Sequence, residues 1–178
     1  CRVLRLLHSR DPDVTLIQAA CGSTEGTLTL QVNSANPTIS TASSAFTKAA
    51  DGAAGWHGQH WDHRIEVPST TLDALIATHG EPQFAKIDVE GFEADVLAGL
   101  SRPLRSLSVE FTTIQRDVAL ACIERLQALA PYTYNVALGE SQTFEFEQAI
   151  DADQLKRYVV ALPHEANSGD IYALLPSP

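Results

Sequence analysis

The chain has 178 residues, 44% of them hydrophobic, and a formal net charge of −10 at pH 7. This length and apolar content support one folded domain with a full core and argue against disorder. The negative charge argues against nucleic acid as a partner, because binding to phosphates needs clustered Lys and Arg. Arg2, Arg5 and Arg10 come nearest to a cluster and are expected on the wet face of a first helix. No apolar run approaches the roughly 20 residues of a membrane span, and no charged-then-apolar leader is present. Cys1, Cys21 and Cys122 are widely spaced and odd in number, which fits reduced thiols of a cytoplasmic protein. The chain contains no Met and begins at Cys1 within a helical pattern, so an N-terminal part is expected outside these residues.

In chain order, residues 1–10 read as a helix with Val3, Leu4 and Leu7 on one face, stopped by Asp11-Pro12-Asp13. VTLIQAA (14–20) reads as a strand ended by Gly22, and residues 27–32 alternate as a second, half-exposed strand. Residues 33–63 are rich in Ser, Thr, Ala and Gly. They read as a long functional loop, a lid or acceptor loop, with a short helix at 43–50. RIEVP (64–68) returns to strand, and Thr70-Thr71-Leu72-Asp73 starts a helix that Gly80 and Pro82 end. A buried strand over 84–89 turns at Gly91 into a helix carrying Phe92, Val96, Leu97 and Leu100 on one face. Residues 104–111 form another buried strand, and 114–130 a helix stopped by Pro131. YTYNVAL (132–138) and TFEFE (143–147) alternate and predict a hairpin. A helix at 151–160 and a strand at 169–175 close the single domain, 1–178. Alternating strands and helices predict a doubly wound α/β sheet, mixed near its C-terminal end.

Asp88 and Glu90 sit two apart at a strand's C-terminal end, the edge where open α/β sheets bind ligands. If the strand persists through Glu90, both point to one side. Such a pair can hold a cationic ligand or accept a proton from a hydroxyl; alternatively the two cap the following helix. Glu93 and Asp95 are expected on that helix's surface. Glu110 ends the next strand and faces the same crevice if the two strands are neighbours. His57, His60 and His63, spaced by three, read as a metal group, as part of a lid with Trp56 and Trp61, or as a solvated loop. No G-x-G-x-x-G or Walker pattern occurs, and the Ser40-Thr41 and Ser43-Ser44 hydroxyls lack a recognisable triad.

STTLDALIATHG (69–80) followed by FAKIDVEGFEADVLAGL (84–100) resembles the FkbM family of S-adenosylmethionine-dependent methyltransferases. VTLIQAACGSTEGTLTL (14–30) resembles the family's earlier strand-turn-strand, and SANPTISTAS (34–43) its Ser/Thr-rich segment. The likeness runs over about 14–111. It implies a class I methyltransferase (Rossmann-like) fold, with 14–20, 84–89 and 104–111 as its third, fourth and fifth strands. The antiparallel hairpin partners would be 132–138 and 169–175, with 143–147 an added piece. The fold's first strand, Gly-rich cofactor loop and second strand would precede Cys1. That leaves an apolar edge at 84–89 to be covered by the preceding segment or by a second copy in a homo-oligomer.

The resemblance implies S-adenosylmethionine as cofactor, with Ala20 and Cys21 on its adenine side and Asp88 on its methionine side. The implied acceptor is a small molecule or sugar hydroxyl. Asp88 would position the cofactor or the acceptor. Glu90 or Glu110 would serve as base, with His57, His60 or His63 as an outside choice. The alternatives are a non-catalytic fragment or degenerate interaction module of the same fold, and a hydrolase using the carboxylates with a metal at the histidines.

Overall fold

The protein's structure, a computed structural model, describes residues 2–176. Cys1, part of the expected first helix, lies outside the described residues. The first helix is short: α1 spans Arg2–Leu7. Val3, Leu4, Leu6 and Leu7 are all exposed on it, so among the described residues its expected apolar face is not buried.

β1 is only Ala20–Cys21, not the whole of 14–20. Only these two residues meet a partner, β3, in parallel. Residues 14–19 find none, and Val14 and Ile17 are exposed. β2 (Gly26–Val32) and β3 (His63–Thr70) pair antiparallel along their length. Between them lie a 3-10 turn at Pro37–Ile39 and α2 (Ser44–Ala50). α2 starts where the sequence predicts, because the Ser43 hydroxyl accepts the Phe46 N–H. α3 (Leu72–His79) is capped in the same way by Thr71 on Ala74. Asp73 makes no reciprocal box; its carboxylate accepts the Ser101 N–H instead.

β4 (Ala85–Ile87), α4 (Glu93–Ala98), β5 (Ser106–Thr112), α5 (Arg116–Leu129) and β6 (Thr133–Leu138) follow. α6 (Ala152–Ala161) and β7 (Ser168–Leu174) complete the chain. The sheet expected to be continuous is divided in two. A three-stranded sheet has the order β1-β3-β2, and a four-stranded one the order β4-β5-β7-β6. The α/β class holds, with both sheets mixed. Among the described residues β4 bonds to β5 alone.

The predicted hairpin between 132–138 and 143–147 does not form. β6 pairs with β7 along its length. Its other edge meets 143–150 only through isolated bridges, Ala137 with Phe144 and Tyr134 with Ile150. There the Asn135 carboxamide accepts the Phe146 N–H and donates to the Phe146 carbonyl, which stands in for strand pairing.

One core lies between the four-stranded sheet and its helices. Leu107, Val109 and Ile171 from the sheet are joined by Leu97, Ile123, Leu126, Leu155 and Val159 from α4, α5 and α6. Full burial of side chains this size contributes roughly 1.5–3 kcal/mol each. Arg125 on α5 donates to the carbonyls of Leu97 and Leu100, closing the C-terminal end of α4. α6 begins with a reciprocal box in which Asp151 accepts from Gln154 and Gln154 from Asp151. Asp151→Ala is therefore expected to lower stability by about 1 kcal/mol, read as a shift in the urea midpoint at unchanged slope. An unchanged midpoint would mean that this cap contributes nothing. Among the described residues no helix is long and apolar enough to cross a membrane.

Candidate active site

β4 ends at Ile87, so Asp88 and Glu90 do not converge through the pleat of a strand. The chain turns instead, with Glu90 at a left-handed φ of 55° and Gly91 at 83°. β5 runs parallel to β4 with Val109 opposite Ile87, which sets Glu110 beside Asp88. One carboxylate oxygen from each of Asp88, Glu90 and Glu110 lies within 4.8 Å of the others. Glycine is required at 91 because a Cβ there would strike Gln115 Oε1 and approach Phe46 Cδ2 to 2.7 Å.

Glu93 is a correction to the sequence reading. It is only 2% exposed, whereas Asp95 is on the surface as expected. Its Oε1 accepts the backbone N–H groups of Val89 at 3.2 Å and Gly91 at 3.0 Å. The available signal was an acid in the first turn of a helix two residues after a turn glycine, where free N–H groups collect. Neither Asp88 nor Glu90 caps α4: the N-cap position is Phe92, and no side chain bonds there.

Glu90 and Glu110 are half-buried beside other carboxylates, which opposes their ionisation. Burial, then the charges of Asp88 and Glu93, push Glu90 up to about 7. Burial, then Asp88, with Glu90 and Glu93 behind it, push Glu110 up to about 9. Burial raises Glu93 as well, against the N–H bonds that favour its charge. At neutral pH Glu110 therefore keeps its proton while Glu90 is poised to exchange one. Glu110 Oε2 and Gln115 Oε1 are buried without a protein partner, and both residues line a cavity of about 10 Å³. Lys86 Nζ lies 3.4 Å from Asp88 Oδ2 and 2.9 Å from Asp170 Oδ1. Burial works against its charge, but the bond and charge of Asp170 and the charge of Asp88 outweigh it and raise its pKa.

These shifts link the site to stability. For Glu90 and Glu110 the folded-state pKa lies above the unfolded value, so between the two the native state binds more protons. Their contribution is fully present below the unfolded carboxylate range and is lost as pH rises through about 7 and about 9. The melting temperature is expected to fall from pH 6 to pH 9, and the Glu110→Gln variant to fall less. Equal slopes in the two proteins would remove Glu110 from this linkage.

A cleft of about 310 Å³ opens beside the acids. Ala20, Cys21, Leu30, Val89 and Phe92 line it, with Ser40 and Asp88 as its polar members. The structure thus brings Ala20 and Cys21 together with Asp88, from separate sheets. Burial raises the Cys21 thiol. His57, His60 and His63 are exposed, and His60 lines a different cleft with Lys48, Asp51 and Trp61. The group whose spacing suits a cation among the described residues is Asp88, Glu90 and Glu110, not the histidines. The 33–63 segment is tied down at several points. Phe46 is fully buried and meets Trp56 and Trp61 in T-shaped ring contacts. Trp61 Nε1 donates to the Ile39 carbonyl, and Asp62 accepts the Ser34 N–H.

An α/β domain with acids at the C-terminal end of a parallel strand pair, beside an apolar cleft, belongs to the broad class that binds ligands at such edges. The chain belongs to the FkbM methyltransferase family: residues 6–151 match the family model described as the methyltransferase FkbM domain. No curated protein and no solved structure matches it significantly. Membership makes it a methyltransferase domain.

Proposed function

We propose that this domain transfers a methyl group from S-adenosylmethionine to a hydroxyl of a small molecule or sugar, on a class I methyltransferase arrangement. The strand order β4-β5-β7-β6, with antiparallel β7 between β5 and β6, supports that arrangement. The observation that carries the reading is the meeting of Ala20, Cys21 and Asp88 in one apolar cleft, with Glu90 and Glu110 against Asp88. The residues fit the cofactor: apolar walls suit an adenosine, and a carboxylate suits the positive charge of a sulfonium or ammonium. Ala20, Cys21 and Asp88 would hold it, and when bound it supplies an electrophilic methyl group.

The chain's own residues do the remaining work. Asp88, exposed at the rim, orients the cationic ligand and the acceptor. Glu90, titrating near neutral pH, takes the acceptor's hydroxyl proton on a carboxylate oxygen. Glu110 stays protonated and serves as a hydrogen-bond donor to Asp88 or the acceptor rather than as a second base. Phe92, Val89 and Leu30 supply the apolar walls of the cleft.

Calorimetric titration of the intact protein with S-adenosylmethionine tests this. Saturable binding is expected, and Asp88→Ala should weaken it about tenfold, the loss of one charge-assisted contact. Failure of the intact protein to bind would leave the non-catalytic reading in its place.

A further inference from the structure

We infer that Thr41 is a positioning residue for Glu90: its buried hydroxyl, bonded to the Glu90 carbonyl, holds the 88–91 turn in the form that keeps the Glu90 carboxylate beside Asp88 and Glu110. The inference rests on the reading of Glu90 as the base. Thr41 lies 49 residues from Glu90 in sequence, yet its Oγ1 donates to the Glu90 carbonyl oxygen at 2.7 Å. Thr41 is 1% exposed. The same oxygen accepts the Ser43 N–H at 2.8 Å, which leaves its single proton for Glu90. The Thr41 backbone is itself fixed, exchanging N–H···O bonds with Gln31 of β2 at 2.7 and 3.0 Å. Its neighbours Ser40 and Ala42 line the cleft.

A left-handed backbone at a residue other than glycine is disfavoured and persists only where its surroundings over-determine it. Glu90 is such a residue. Glu93 grips the turn through the N–H groups of Val89 and Gly91, and Thr41 grips it through the Glu90 carbonyl. If the Thr41 bond is removed, the turn is held from one side only. Glu90 can then relax away from the acids that face it, Asp88 and Glu93 on its own segment and Glu110 on β5. Thr41 therefore couples the 33–43 segment, a wall of the cleft, to the geometry of the base.

The test uses the intact protein with ¹³C-labelled glutamate. Glu90→Gln assigns the Glu90 carboxyl resonance, which is followed against pH in Thr41→Val, Thr41→Ala and Thr41→Ser. In the wild type the midpoint should lie near 7. Val and Ala, which lack the hydroxyl, should lower it by about one pH unit or more toward the ordinary carboxylate range. Ser, which keeps the hydroxyl, should leave it in place. Val and Ala are both made so that misfolding of one does not decide the result. An unchanged Glu90 midpoint in the folded hydroxyl-free variants, with or without a lower melting temperature, overturns the inference. An equal shift in Thr41→Ser does so too. Because the readout needs no cofactor, failure to bind S-adenosylmethionine would overturn the proposed function and leave this result standing or falling by itself.

Discussion

Glu90→Gln in the intact protein is expected to lower methyl transfer by about 10²–10⁴-fold, the usual contribution of a positioned general base. The amide has the size of the carboxylate and cannot accept the proton. The wild-type rate should rise with pH, with a half-maximum near the 7 to which burial, Asp88 and Glu93 push the group. That midpoint belongs to the cluster as a unit, because Asp88 and Glu93 act on Glu90 and Glu90 in turn acts on Glu110. The rising limb should vanish in Glu90→Gln. Release of S-adenosylhomocysteine, with an acceptor found by screening alcohols and saccharides, provides the measurement. Retention of both rate and limb would move the base elsewhere.

Gly91→Ala is expected to destabilise the protein by about 2–4 kcal/mol, from roughly 1 kcal/mol for a left-handed alanine and about 1–3 kcal/mol for overpacking. The φ of 83° is one cause. The other is the collision of a Cβ with Gln115 and Phe46. Gln115 is 5% exposed and Phe46 is fully buried, so neither can retreat into solvent. Gly139→Ala is the control: its φ is also positive, at 51°, but nothing lies within 4 Å of the added atom. Only the roughly 1 kcal/mol backbone term should appear there. Urea denaturation of both variants decides; equal losses would mean that the close approach at Gly91 carries no cost.

Both predictions concern a turn that sequence patterns located but did not describe. The apolar run before Asp88 and the helical spacing after Gly91 correctly placed a strand followed by a helix. They extended the strand to 89, whereas β4 stops at Ile87. The two acids were expected on one side through a strand's alternation. They meet because Glu90 and Gly91 turn left-handed, which in a residue such as Glu depends on outside contacts. Glu93 shows the same gap: an acid in a helix's first turn reads as a surface charge until the loop before it folds back over it.

What the sequence by itself determined is local. Apolar periodicity defined β2, β3, β5–β7 and helices α3, α5 and α6, and Thr70-Thr71-Leu72-Asp73 marked a helix start. The acids Asp88, Glu90 and Glu110 stood out because they close apolar runs, and the blocks around 69–80 and 84–100 carried the family. Tertiary structure decided how the strands divide between two sheets. The resemblance names 132–138 and 169–175 as partners, and β6 does pair with β7, whereas alternation alone points to the adjacent 143–147; among the described residues, 14–19 pair with no strand. The resemblance puts Ala20, Cys21 and Asp88 at one site, and they share a cleft; only the tertiary structure brought Thr41 to Glu90. The physical reason is that propensity and periodicity act over a few residues, whereas pairing, burial and the cost of crowded charge depend on neighbours far along the chain.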